Sequence, residues 1–202
     1  MSSGTIPPEP AVAEILAGDE AAVRRRLAAP DAVDRRDTFW RQKPLAWATM
    51  QGDPQIVAAV LDAGGDANET DRSGNTPLHV AAYFGHDAAA RVLIDRGADP
   101  HAANVVGRLP AAILELSADL ASEFAPLVGL KPIGVDEILE GRRRLRDMLP
   151  AGPNPEGTLG GPLDRATLAW SAALSSEWLR LRLGSWSVHL VQTNIFDHLW
   201  FL

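Results

Sequence analysis

The sequence predicts a mainly α-helical fold in which short helix pairs stack into a solenoid and are joined by hairpin loops. The first observation behind this prediction is a repeat of 33 residues, which places Pro44, Pro77 and Pro110 at equal intervals. The second is a pair of glycines, Gly52 and Gly85, separated by the same interval. A fixed period of about 20 to 50 residues is typical of repeat proteins, whose units bury a continuous core only by stacking.

The unit that spans 71–103 shows how the sequence specifies each element. Thr76 can cap a helix, and Pro77 suits the first helical position because no N–H is needed there. Small apolar residues follow at helical spacing up to Gly85, where a glycine allows the positive φ that ends a helix. A second helix is predicted over 88–96, and the residues that follow it are predicted to form the hairpin into the next unit.

This same segment, Asp71 to Ala103, resembles an ankyrin repeat along its whole length. Its sequence is DRSGNTPLHVAAYFGHDAAARVLIDRGADPHAA, and the matching positions are Thr76-Pro77-Leu78-His79, Ala81-Ala82, Gly85-His86, Leu93 and Gly97-Ala98-Asp99. The resemblance covers about residues 11–128 and implies an ankyrin-repeat solenoid over 11–130. Its four units are a capping unit at 11–37, two well-matched units at 38–70 and 71–103, and a degenerate unit at 104–130.

The other units depart from the repeat pattern in specific places. In the unit that begins at 38, the usual glycine is Arg41, the threonine is Lys43 and the histidine is Ala46. The first unit is offset by one extra residue, which suits a loop between helices. Terminal units of a stack are expected to be atypical because they cap it.

The resemblance implies that a partner would bind at the hairpin tips and at the exposed face of the inner helices. Carried over position by position, the hairpin tips are Phe39, Trp40 and Gln42, then Arg72, Ser73 and Asn75, then Val105, Val106 and Arg108. The inner-helix positions are Met50, Gln51, Tyr83 and Phe84. Large aromatic residues and arginine are common in binding hot spots, so these residues are a candidate partner-binding surface. The alternative is that Phe39 and Trp40 cover a neighbouring part of the same chain.

The segments outside the stack are predicted to differ in character. Residues 1–10 are expected to be disordered, 131–149 to hold a flanking helix, and 150–163 to be a linker rich in proline and glycine. In the flanking helix, the run Arg142-Arg143-Arg144 is expected to be a solvated charged face near the helix end. Residues 164–202 are predicted to be a hydrophobic, tryptophan-rich helical tail.

Composition excludes several classes of function. The 202-residue chain has no cysteine and a net charge of −7, which argue against disulfide and thiolate sites and against non-specific binding of nucleic acid. We find no phosphate-binding loop, nucleophile elbow or metalloprotease motif. We therefore expect no catalytic residue, no metal and no cofactor, and we expect His79 to bond to neighbouring backbone.

Three functions remain open at this stage. The first is a non-catalytic, cytoplasmic protein-protein interaction module whose partner is another protein. The second is the docking or regulatory part of a truncated membrane acyltransferase, because His198–Leu202, HLWFL, resembles a short motif of such enzymes. In that case, residues 164–202 would associate with a membrane or a membrane protein. The third is a structural scaffold without a dedicated partner.

Overall fold

The computed structural model describes residues 10–37 and 41–150, which all belong to the first of the two units into which the chain divides, Met1–Gly152. No strand occurs in these described residues. Their helices are α1 Pro10–Ala17, α2 Glu20–Leu27, α3 Pro44–Gln51, α4 Pro54–Asp62, α5 Pro77–Phe84, α6 Asp87–Asp95, α7 Pro110–Ile113, α8 Ala118–Leu127 and α9 Val135–Arg146. The prediction of an all-α repeat solenoid is confirmed.

The helices of the repeats are arranged in two layers. In the inner layer, α1 packs against α3, α3 against α5, and α5 against α7. In the outer layer, α2 packs against α4 and α4 against α6. The inner helices α1, α3 and α5 also pack against the outer helices α2, α4 and α6 of their own units. Equivalent apolar positions are therefore buried in successive units, as Leu45 and Leu78 are, both with no solvent exposure.

Short polar side chains, prolines and glycines define where these helices begin and end. The Asp53 carboxylate accepts a hydrogen bond of 2.8 Å from the backbone N–H of Gln55 and so caps α4. Pro44 and Pro77 are the first residues of α3 and α5. Gly85 ends α5 with φ +75, a conformation that side-chain-bearing residues rarely adopt.

The last described part of the chain departs from a regular fourth unit. Helix α7 has only four residues, α8 packs against α5, and α9 packs against α5, α6 and α8. Among the described helices, α9 therefore lies beside the outer helix α6, where a regular stack would place the next outer helix. Helix α9 lies within the predicted flanking segment 131–149, and it packs directly against the stack.

Two glycines allow α9 to approach this closely. A Cβ atom on Gly141 would collide with the carbonyl oxygen of Gly85, and a Cβ on Gly85 would collide with the backbone of Ile138. The absence of both side chains lets the backbone of α9 lie directly on the turn between α5 and α6. Among the described helices, none has the length and apolarity needed to cross a membrane.

Several sequence predictions fall on residues that the structure does not describe. They are the start of the chain up to residue 9, the aromatic pair Phe39 and Trp40, the linker from residue 151 to 163, and the tail at 164–202 with its HLWFL motif.

Candidate functional site

The hairpins between units have a common internal geometry. In the second of them, Asp71 Oδ1 accepts hydrogen bonds from the backbone N–H groups of Ser73 (2.8 Å) and Asn75 (2.9 Å). In the third, Asn104 Oδ1 accepts hydrogen bonds from the N–H groups of Val106 (3.2 Å) and Arg108 (2.9 Å). Side chains that accept bonds from backbone groups a few residues ahead are a common means of holding tight turns.

Neighbouring hairpins are hydrogen-bonded to one another. The Val105 N–H donates to the Ser73 carbonyl at 2.9 Å, and the Asn104 side-chain amide donates to Asn75 Oδ1 at 2.9 Å. Ser73 and Asn75 are buried as a result. The expectation that these two residues are exposed at the tip is therefore wrong, because their polar atoms hold one hairpin against the next.

The remaining tip residues are accessible to different degrees. Arg72 is exposed, while Gln42 and Arg108 are half-buried. Val105, which is equivalent to Arg72 in the repeat, is 60% exposed. The first hairpin also spans one residue more than the second, because Asp37 N–H bonds to Gln42 O whereas Asp71 N–H bonds to Asn75 O.

The inner-helix positions are largely inaccessible. Met50, Tyr83 and Phe84 are only 2%, 5% and 1% exposed. Gln51 is half-buried, and its side-chain oxygen accepts a hydrogen bond of 2.9 Å from Asp53 N–H. The predicted exposure of Met50, Tyr83 and Phe84 is therefore wrong, and an aromatic patch on this face of the described chain does not exist.

Helices α8 and α9 cover the two aromatic residues. The ring of Phe124, on α8, stacks on Phe84 with 6.3 Å between ring centroids. The guanidinium of Arg142, on α9, lies 5.9 Å from the centroid of the Tyr83 ring. These helices come from segments that do not match the repeat pattern, so the repeat register alone could not reveal that they cover this face.

Arg142 is a buried structural residue of the stack. It is 2% exposed, and its guanidinium donates hydrogen bonds to the carbonyl oxygens of Leu116 and Tyr83, the second at 2.5 Å. The expectation that Arg142 belongs to a solvated charged face is wrong for this residue, although Arg143 and Arg144 are exposed. The one available signal was Gly141, because a glycine inside a helix often marks a close packing contact.

The hydrogen bond from Arg142 to the Tyr83 carbonyl corresponds to a hydrogen bond that is made one repeat earlier. There, His86 Nε2–H donates to the Met50 carbonyl at 3.0 Å, and the His86 ring lies over Gly52. Met50 and Tyr83 are equivalent residues of adjacent units. Helix α9 thus supplies to the third unit the backbone contact that the third unit supplies to the second.

Hydrogen bonds hold the rings of the buried His79 and the half-buried His86, and those of His79 define its neutral tautomer. His79 Nδ1 accepts from the Thr76 N–H at 3.1 Å, and His79 Nε2–H donates to Arg108 O at 2.9 Å. Burial lowers the pKa of His79 and of His86, and the hydrogen bonds to backbone carbonyls oppose this shift. The prediction that His79 bonds to neighbouring backbone is confirmed.

Within residues 10–37 and 41–150, no three His, Cys, Asp or Glu side chains are grouped so as to hold a metal ion. The side chains of the site are instead bound to backbone groups of the turns and of adjacent units. The arrangement is that of a rigid surface formed by successive hairpins.

Comparison with known families identifies the repeats. Residues 11–104 match the family model for ankyrin repeats in three copies. Residues 11–104 of this chain are ankyrin repeats. Its relatives include an ankyrin repeat-containing protein of Schizosaccharomyces pombe, 32% identical over 85 residues that make up 40% of this chain and 41% of that protein.

Two further relatives are mouse proteins. Protein phosphatase 1 regulatory subunit 27 is 38% identical over 68 residues, 34% of this chain and 44% of that protein. Inversin is 35% identical over 83 residues, 41% of this chain and 8% of that protein. The chain spans less than half the length of the curated relatives it matches.

Proposed function

We propose that this ankyrin repeat protein is a protein-protein interaction module without catalysis of its own, and that it binds its partner along the row of hairpins. The observation that carries the proposal is the contrast between two surfaces. Arg72 and Val105 are exposed at equivalent positions of neighbouring hairpins, whereas Tyr83 and Phe84 on the inner helix are covered.

The rigidity of the hairpins supports this choice of surface. The bond from Val105 N–H to Ser73 O joins two tips directly, so their exposed side chains keep a constant relative position. A partner that binds them does not have to order the loops first, which would cost conformational entropy. We include Gln42, Arg72 and Arg108 in the proposed surface, together with Phe39 and Trp40 by their position in the repeat.

The relatives support the non-catalytic part of the proposal. The mouse relative at 38% identity is named a regulatory subunit of protein phosphatase 1. We extend to this chain only the general role of binding another protein, because the matched part covers 44% of that relative.

Site-specific photocrosslinking tests the proposed surface. A benzophenone amino acid is introduced at Arg72 or at Val105, and at Arg91 as the matched control, an exposed residue of the outer helix α6. In the cells that make the protein, we expect crosslinked species of higher mass from the two hairpin positions and not from Arg91. Crosslinks from Arg91 alone, or from none of the three positions, would contradict the proposal.

A further inference from the structure

We propose that residues 118–130 form a displaceable strap over the inner helices of the stack, and that an amphipathic helix of a partner binds in its place when the strap opens. The strap consists of α8 and the turn that follows it. This inference concerns a second surface of the protein and does not depend on binding at the hairpins.

The strap contacts two units that are not neighbours in the stack. Its Phe124 ring stacks on Phe84 of α5, in the third unit, with 6.3 Å between ring centroids. At its other end, a Cβ atom placed on Gly129 would lie 3.6 Å from Leu16 Cδ1 of α1, in the first unit. Units of a solenoid ordinarily contact only adjacent units. The strap therefore passes over α3, which packs between α1 and α5.

The inner helices present a row of equivalent apolar residues on this side. Leu16, Met50 and Tyr83 each stand two residues before the glycine that follows their helix. Leu16 is half-buried, and Met50, on the middle helix, is only 2% exposed. Because the strap runs from Leu16 to Phe84, its opening would uncover an apolar groove along Leu16, Met50 and Phe84.

The strap itself shows which chemistry this groove accepts. Its buried residues recur at intervals of three or four, as one face of a helix requires. They are Ala118, Ala121, Phe124, Ala125 and Val128. Asp119 and Glu123, on the other face, are exposed. The groove thus suits an amphipathic helix that has small residues and one aromatic side chain on its apolar face.

Local features contribute little to holding α8 as a helix. Ser117, its N-cap residue, does not cap the helix with its side chain, and its hydroxyl instead donates to Asp119 Oδ2 at 3.1 Å. Pro126, in the last turn, has no N–H to donate. A helix of ten residues is marginal by itself in water. The strap therefore depends on its apolar face, and a partner helix can supply the same contacts.

Thiol labelling of single-cysteine variants tests whether the strap opens, since the native chain has no cysteine. Met50→Cys places a thiol under the strap, and Val57→Cys places one in the fully buried core of the outer helix α4. With an aromatic disulfide reagent under native conditions, we expect position 50 to react at least about tenfold faster than position 57, because local opening is more frequent than global unfolding. Equal rates at the two positions would overturn the inference.

A matched pair of substitutions in the strap assigns this opening. Phe124→Ala should accelerate labelling at position 50 and leave position 57 unchanged, whereas Leu127→Ala, at a residue that is 59% exposed, should change neither rate. Equal acceleration at both positions by Phe124→Ala would overturn the inference, because it would mark global destabilisation. Phe124→Leu is the milder substitute if the alanine variant does not fold, and the comparison of positions 50 and 57 needs neither.

A peptide with the sequence of residues 118–130 tests the partner chemistry. By fluorescence anisotropy we expect it to bind the full-length Phe124→Ala chain at least about tenfold more tightly than the native chain, whose strap competes for the groove. A peptide with alanine in place of its phenylalanine should not bind. Equal affinity for the two chains, no binding to the Phe124→Ala chain, or equal binding of both peptides would overturn the inference. Dimerisation of the Phe124→Ala chain without peptide binding would instead assign the groove to a second copy of the chain and overturn the partner helix.

Discussion

At the scale of single residues, Arg41 adopts a backbone conformation that glycine adopts in the neighbouring hairpins. Its φ is +57, while the equivalent Gly74 and Gly107 have φ +74 and +79. A residue with a Cβ atom pays about 1–2 kcal/mol for this left-handed conformation. The first described hairpin therefore stores local strain that the second and third hairpins avoid.

Replacing Arg41 with glycine should stabilise the protein. Relief of the strain outweighs the greater entropy of glycine in the unfolded chain, and we expect a net gain of about 0.5–1 kcal/mol. The bond from Arg36 to the residue 41 carbonyl is retained, because it involves only the backbone at that position. Urea unfolding measures the effect. Arg35→Gly, at a position with negative φ, should give no gain, and an equal gain there would rule out strain as the cause.

His79, which is buried, and His86, which is half-buried, predict the direction of the pH dependence. Because the pKa values of His79 and His86 are lowered in the folded state, the unfolded chain binds more protons below its own histidine pKa of about 6.5. Stability should therefore be fully present above about pH 6.5 and fall as the pH is lowered. Between pH 7.5 and 5.5 each histidine can contribute at most about 1.4 kcal/mol of this loss.

Urea unfolding at these two pH values, with His86→Gln and the exposed control His101→Gln, measures the contribution of His86. We expect the first variant to reduce the loss of stability and the second to preserve it. The series stops at pH 5.5 because burial raises the pKa of Glu69 above its usual 4.5, and the protonation of that carboxylate acts in the opposite direction. A protein that becomes more stable as the pH falls from 7.5 to 5.5 would contradict the interpretation.

At the scale of elements, α9 determines how the described stack ends. Ile138 and Leu145 have no exposure, and they place an apolar stripe of α9 against the stack. The approach depends on Gly141, whose missing side chain admits the Gly85 carbonyl. One residue therefore decides whether α9 can pack where it does.

Gly141→Ala should destabilise the protein even though alanine is the better helix former. The gain in helix propensity is about 1 kcal/mol, but the added methyl group would displace α9 from α5, at a cost of about 1–3 kcal/mol or more. Thermal unfolding measures the change. Gly134→Ala is the control, because a Cβ at that position would meet open space and should be tolerated. A stabilised Gly141→Ala protein would show that α9 does not lie on Gly85.

Arg142→Met should cost about 2–4 kcal/mol, because it removes two charge-assisted hydrogen bonds and leaves the carbonyls of the buried Tyr83 and the half-buried Leu116 without that donor. Arg142→Lys should recover only part of the loss, since an ammonium group cannot reproduce the planar fork. Arg143→Met, on the exposed side of the same helix, should leave stability unchanged. Equal effects of the changes at 142 and 143, measured by urea unfolding, would show that Arg142 is not buried.

At the scale of the whole molecule, the described stack is held together across units by both layers. In the outer layer, Asp62 bridges two neighbours: its carboxylate lies 3.3 Å from Arg24 Nη1 and 2.6 Å from Arg96 Nη1. These hydrogen bonds lower the pKa of Asp62, Arg96 having the larger influence. The pairs are exposed and add little stability each, so the apolar inner contacts carry most of the cohesion.

Truncation separates the stack from the rest of the chain. A protein that ends at residue 150 should still unfold in one cooperative transition, because it retains α9. One that ends at residue 134 should lose at least about 3 kcal/mol, since the burial of Ile138 and Leu145 disappears and the Tyr83 ring loses the Arg142 side chain that lies over it. Urea unfolding compares the two proteins. Loss of cooperative unfolding in the longer protein would show that residues after 150 belong to the core.

The sequence by itself determined the repeat. Three local signals define it: the period of 33 residues, the prolines that begin the inner helices, and Gly52 and Gly85 at the helix ends. Each of these signals reflects contacts within one unit or between equivalent positions of adjacent units. Such contacts recur with the period, so the pattern alone was sufficient to predict the helix pairs and hairpins. The extra residue of the first hairpin was predicted to lie in a loop for the same reason.

Only the tertiary structure decided which of the candidate residues are accessible. Arg142 reaches the carbonyl of Tyr83 across 59 residues of sequence, and Phe124 reaches Phe84 across a segment without the repeat pattern. No periodic signal specifies such a contact, because α9 has no equivalent in the preceding units. Because a run of three arginines has the same composition whether its side chains are solvated or buried, the sequence could not show that one of them is buried. The free energy of packing α9 on Gly85 is what buries Arg142 over Tyr83, while Phe124 of α8 covers Phe84.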